Sequence, residues 1–399
     1  RPSAADAVVY DLVIQGGRVI DPASGRDGIF DVAVAGGRIA RVAPRIDASR
    51  AARVVDARNL LVTPGFVDAH THVFFGTEGS YLANGHDAAW ADSFAPRSCT
   101  TTVVDAGSSG HASYETFARQ TIARSRTRVL AFLNIVGGGM RGGSFEQDLA
   151  DMDARATAEM IRAHPDRIVG VKVAHYQGAE WDPVTRAVEA ASATGTRVMV
   201  DFGAHVPELS LEHLLLDVLR PGDIFTHVYA DVPGRTPIVD AAGTLRPFVR
   251  AARRRGIFFD LGHGARSFSF DQATAALAQA FPPDAISTDS HARSLGGAMQ
   301  DLPTVLSKLG HLGVSLPDLI RGVTTGAAAL IGRPELGRLA EGAEADIAIL
   351  QAISGQFGFT DTGDRRIDGT TRYACEVTLR AGQVIWDRNG RTRPRWTPR

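Results

Sequence analysis

The sequence predicts an α/β protein, a (β/α)8 TIM barrel carrying a small β-sandwich built from both chain termini. Three observations predict it. Short apolar, β-branched runs recur through the middle of the chain with helix-like segments between them, a spacing that suits βα units of roughly 30 residues. Nearly every run ends in His, Asp or Lys, as expected where strand ends converge on one barrel mouth. The two ends of the chain share a different rhythm, β-rich and broken by Gly-Gly or Ala-Gly, which reads as hairpins.

The strands are expected in "FVDAHTHV" (66–73), "TTVVDAG" (101–107), "RVLAFLNIV" (128–136) and "IVGVKVA" (168–174). They continue in "RVMVDFG" (197–203), "DIFTHVYA" (223–230), "IFFDLGHG" (257–264) and "AISTDSHA" (285–292). Eight in series favour a closed barrel; an open doubly wound sheet is the competing arrangement. "DLVIQGGRVIDP" (11–22) and "DVAVAGGRIARVAP" (31–44) pair in style with "ADIAIL" (345–350) and "CEVTLRAGQVIWDRNG" (375–390). The expected division is 1–61 and 340–399 for the sandwich and 62–339 for the barrel.

Composition narrows the function. The 399 residues are 44% hydrophobic and 22% charged, with net charge −1. That is ordinary globular make-up. One basic run, "ARRRG" (252–256), reads as a solvated helix end, so no nucleic-acid partner is expected. No stretch is long and apolar enough for a membrane span. Two cysteines give neither a disulfide framework nor a CxxC metal signature. The chain begins at Arg1, which leaves both a cytoplasmic protein and an exported one with its signal peptide removed.

Two lysines, Lys172 and Lys308, stand against 41 arginines. A lysine kept at a strand centre, between Val171 and Val173, suggests a need for an amine that can lose its proton. Desolvation lowers a lysine's pKa, and the neutral amine can take up CO2 as a carbamate, a carboxylate-like group able to bridge two metals. Arginine stays protonated and cannot do this. The alternative is a lysine reaching solvent or an acid at the rim.

His70 and His72 in "DAHTH" are two apart, so they share one face of a strand and can grip one metal ion. His227 ends the sixth run and is a further ligand candidate. Asp289 ends the eighth, where a carboxylate can bind a metal and take a proton from activated water. His175 and Tyr176, three and four residues after Lys172, can orient substrate, and His263 can donate to a substrate carbonyl or carboxylate; each also reads as a plain structural residue.

With "TPGFVDAHTHV" (63–73), "RPGDIFTHVY" (220–229), "FDLGHGARSF" (259–268) and "GRLAEGAEADIAIL" (337–350), essentially the whole chain resembles the amidohydrolase superfamily. It is most similar to the amidohydrolase/deacetylase group near dihydroorotases and hydantoinases. The resemblance implies a hydrolase with one or two divalent metals, zinc first, manganese or another ion next. It would cleave an amide or ester bond in a small N-acyl or deacetylase-type substrate by metal-activated hydroxide attack on the carbonyl. The same site in a cyclic amidase, or a non-catalytic scaffold, are the rival readings; a homo-oligomer is left open. Position by position, the resemblance gives His70 and His72 to the more buried metal, Lys172 as a carbamate to both, and His227 to the second. Asp289 binds the first metal and shuttles the proton. The fifth strand departs from the pattern, with Asp201 where a histidine is expected. Asp201 occupies the strand end itself and is expected to ligate the second metal through oxygen; otherwise His205, in the following loop and also a candidate to bind substrate, swings in, or that site is weak or empty.

Overall fold

A computed structural model describes residues 9–76, 85, 87–201 and 209–397. It contains strands β1 (Leu12–Asp21), β2 (Arg26–Ala35), β3 (Arg38–Ala43), β4 (Val54–Asp56), β5 (Leu61–Pro64), β6 (Phe66–Thr71), β7 (Thr100–Gly110) and β8 (Arg128–Asn134). They are followed by β9 (Ile168–Val173), β10 (Arg197–Val200), β11 (Ile224–Phe225), β12 (Phe258–Phe259), β13 (Ile347–Thr360), β14 (Arg366–Arg380) and β15 (Gln383–Asp387).

Two sheets organise these strands. Strands β6 to β12 form a seven-stranded sheet in sequence order, with every pairing parallel. Residues 285–290, outside any strand, touch both of its edges. Ala285 bridges Asp260 beyond β12, and Ser290 bridges Thr71 on β6. The second sheet runs β15-β14-β13-β5-β1-β2-β3, with β4 beside β1. It is mostly antiparallel and joins the two ends of the chain where Leu61–Pro64 pairs with Ile347–Leu350.

The parallel sheet is covered by helices, among them Tyr114–Gln120, Ala154–Ala163, Asp182–Thr194, Pro247–Arg255, Phe270–Ala278 and Leu302–His311. Burial on both faces explains its near-continuous apolar strands. Successive β8 residues pass alternately into two clusters. Val129, Ala131 and Leu133 face the helix side, whereas Leu130 and Phe132 join an inner cluster with Val67, Val104, Met199, Ile224 and Ala285. Lys172 lies between Val171 and Val173, which pack on the helix side. It therefore points inward, in register with Met199 on β10 and Asn134 on β8. Gly107 makes room for it: a Cβ there would come within 2.7 Å of the Lys172 side chain.

Arg128, at the start of β8, ties the two sheets together. Its guanidinium donates to Asp346 Oδ2 at 2.6 Å and Thr102 Oγ1 at 2.7 Å, and also pairs with Glu344. Among the described residues no helix is long and apolar enough to cross a membrane.

Candidate active site

The C-terminal ends of the parallel strands open into a cavity of about 430 Å³. Its lining includes His70, His72, Lys172, His175, Asp201, His227 and Asp289. Seven residues expected from sequence are thus brought together. Three of them, His175, His227 and Asp289, hold left-handed backbone angles (φ 57°, 60° and 50°). Such angles in non-glycine residues cost on the order of 1–3 kcal/mol each and cluster at functional sites.

His70, at the end of β6, is 1% exposed. Its Nδ1 lies 2.9 Å from Thr226 Oγ1, and that hydroxyl donates to Asp260 Oδ2 at 2.7 Å. The hydroxyl proton is therefore spent, so the network assigns the imidazole proton to Nδ1. Nε2 is left with its lone pair toward the cavity, 3.6 Å from Asp289 Oδ1 and 3.1 Å from Lys172 Nζ. Burial, aided by Lys172, pushes the His70 imidazole down to about 4, favouring the neutral form a metal requires.

His72 is held by Ser108 Oγ at 3.0 Å from Nδ1 and places Nε2 3.0 Å from Asp289 Oδ1. Burial works to raise the Asp289 carboxyl, but His70, His72 and His291 hold it well below the usual carboxylate range. One donor atom each from His70, His72 and Asp289 fall within 4.8 Å of one another. Two imidazole nitrogens and a carboxylate oxygen are a donor set suited to a divalent ion such as zinc. The facing lone pair and carboxylate need a cation or a proton between them.

Lys172 is 1% exposed. Burial lowers its pKa, against the opposing pull of Asp201, Asp289 and Asp260. Asp201, just past β10, faces two imidazoles, with Oδ2 3.3 Å from His227 Nε2 and 3.7 Å from His175 Nε2. Its Oδ1 meets Arg235 Nη2 at 2.6 Å, a close ion pair without hydrogen-bond alignment at that oxygen. Burial works to raise the Asp201 carboxyl, yet Arg235, His227 and His175 hold it well below the usual range. His227 Nδ1 donates to the Gly262 carbonyl at 2.7 Å, leaving Nε2 toward Asp201.

Other expected residues stand differently. His263 is fully buried, with Nδ1 on the Gly264 carbonyl at 3.0 Å and Nε2 2.9 Å from Lys308 Nζ. Its ring stacks on Phe268. Both nitrogens are taken and it does not line the cavity, which corrects its expected reach to substrate. The Tyr176 hydroxyl donates to Glu180 at 2.6 Å and is likewise absent from the lining. His205 lies outside the described residues. Arg235 and Glu146 were missed. The buried Glu146 carboxylate accepts from Gly142 and lies 2.9 Å from His175 Nδ1. The glycine-rich 137–145 stretch gave no hint of it.

The amidohydrolase family pattern matches residues 61–372, and the chain belongs to that family. It is therefore a hydrolase of the amidohydrolase type. It is 31% identical over 345 residues to a deacetylase of Agrobacterium fabrum, covering 83% of this chain and 81% of the relative. Among solved structures it is similar to an adenine deaminase (TM-score 0.85, 26% identity, 95% of this chain and 100% of the other). It is also similar to a dihydroorotase (TM-score 0.82, 26% identity, 94% and 99%).

Proposed function

We propose that this chain is a divalent-metal-dependent hydrolase of amide or ester bonds, of the N-acyl or deacetylase kind. The observation that carries the reading is the convergence of His70, His72 and Asp289 beside a buried lysine in an open cavity. In this reading those three residues hold a metal. Lys172, 3.1 Å from His70, stands between these three and the Asp201–His227 pair, which the resemblance gives to a second metal. A metal held there would supply Lewis acidity toward the carbonyl and would acidify water toward a pKa of ~7.

The chain's own groups do the rest. The second Asp289 carboxylate oxygen sits where a Cβ on Gly264 would approach to 2.4 Å, so only glycine leaves it room. Asp289 takes the proton of the attacking water and passes it to the leaving nitrogen or oxygen. The neutral amine of Lys172 adds to CO2 and releases one proton, giving a carbamate next to His70. Its burial and lowered pKa support that reaction.

Residues 62–339 are read as a closed (β/α)8 barrel, with 285–290 as its eighth stave. Their bridges to both edges of the parallel sheet support this. The described parts of 1–61 and 340–399 are read as the sandwich, with β5 carrying its sheet on to Pro64. In its support, side chains from β1, β2, β13 and β14 share one buried cluster.

A cyclic amidase is the second reading, favoured by the likeness to the dihydroorotase. The test is elemental analysis of purified protein joined to a screen of N-acyl amino acids, acyl esters and cyclic amides. Stoichiometric metal with turnover of linear acyl compounds is expected. Turnover of cyclic amides alone selects the second reading, and absence of metal overturns both.

A further inference from the structure

The wall opposite His70, His72 and Asp289 carries a cation of its own. Arg235, in the turn "DVPGRTP" (231–237), projects into the cavity and closes on Asp201 Oδ1 at 2.6 Å. Its side chain is 18% exposed and that of Asp201 6%. A guanidinium is protonated at every relevant pH, so Asp201 is neutralised without a metal. Among the described residues only His70, His72 and Asp289 form a group of three metal donors. Asp201 and His227 make only a pair, with Arg235 at the carboxylate's other oxygen.

We propose that Arg235 takes the place of a second metal cation, so that this chain holds one metal and not two. This rests on the metallohydrolase reading above. A dication sharing Asp201 would stand beside a fixed positive charge at a carboxylate only 6% exposed, and like charges that close repel. Displacing Arg235 would in turn strand a guanidinium whose ion-pair partner among the described residues is Asp201. Asp201 is then an anchor for Arg235. The histidine expected at its position could not act as that anchor, since an imidazole offers a guanidinium no negative charge.

The test is zinc content per chain after saturation with zinc and gel filtration. The expected value is one in the wild type and in Asp201→Asn, rising toward two in Arg235→Gln, which removes the charge and leaves Asp201 and His227 open. Two equivalents in the wild type, falling to one in Asp201→Asn, would make Asp201 a metal ligand and overturn the proposal. An Arg235→Gln protein that keeps native circular dichroism and still holds one also overturns it. If that variant does not fold, the wild-type and Asp201→Asn contents decide alone. No metal in the wild type overturns the metallohydrolase reading itself, a result distinct from two.

Discussion

The two walls of the cavity are built alike and differ in charge. On one, Asp289 Oδ1 faces His72 Nε2 at 3.0 Å and His70 Nε2 at 3.6 Å. On the other, Asp201 Oδ2 faces His227 Nε2 at 3.3 Å and His175 Nε2 at 3.7 Å. Each wall is a carboxylate between two imidazoles. Arg235 makes the difference, because it gives Asp201 a guanidinium counter-ion that Asp289 lacks among the described residues. A ligand-like pattern therefore does not define a metal site by itself. On the proposal above, a positive charge already supplied by the protein decides what the carboxylate can bind.

The sharpest way to break this comparison is to neutralise each carboxylate in turn. Asp289→Asn is expected to lower kcat by about 10²–10⁴-fold, the range for losing a general acid–base group, while Asp201→Asn costs less. Equal losses in steady-state kinetics would mean that the walls are equivalent. Between them stands Lys172. Lys172→Arg keeps a long basic side chain but cannot lose its proton to form a carbamate, and kcat/KM is expected to fall about 10–100-fold, the scale of disturbing a group that supports a metal. Full activity with unchanged metal content would remove the carbamate from the picture.

Lys308 supplies a control for Lys172: a second buried amine, on the far side of His263 from the cavity. Burial lowers its pKa to about 7, from 10.5 in the unfolded chain. Between those values the unfolded state binds the extra proton, so stability rises with pH across that window. The slope approaches 1.4 kcal/mol per pH unit. Urea midpoints measured between pH 7 and 10 should climb more steeply in wild type than in Lys308→Met. Parallel profiles would show that Lys308 keeps its proton in the fold.

Much of the site was legible because strand ends announce themselves. His70 and His72 follow an apolar run through Pro64-Gly65, and Asp289 closes another. Lys172 stood out by rarity alone. Arg235 had the opposite problem: one arginine among 41, in a turn with no period, carries no contrast. Its partner is 34 residues away, a pairing that only folding reveals. His263 shows the limit of the strand-end rule. It does end a strand-like run, but its ring turns toward Lys308, a residue 45 positions later, and away from the mouth. Most strands of the parallel sheet were read longer than they are, although β7 (Thr100–Gly110) outruns its expected 101–107. β11 and β12 keep two residues each as strand, because the polar residues after them leave the ladder to build the cavity.

The seam between Leu61–Pro64 and Ile347–Leu350 has a consequence for how the chain is made. Its two sides emerge from the ribosome roughly 280 residues apart, on the order of 15–60 s at ordinary synthesis rates. Throughout that interval β5 lacks its β13 neighbour, and the apolar residues of β1, β2 and β5 wait for Ile347, Ile349, Val377 and Leu379 to cover them. The N-terminal strands are thus the segment of the nascent chain with most to gain from a chaperone, and a C-terminal truncation before β13 would leave them exposed for good.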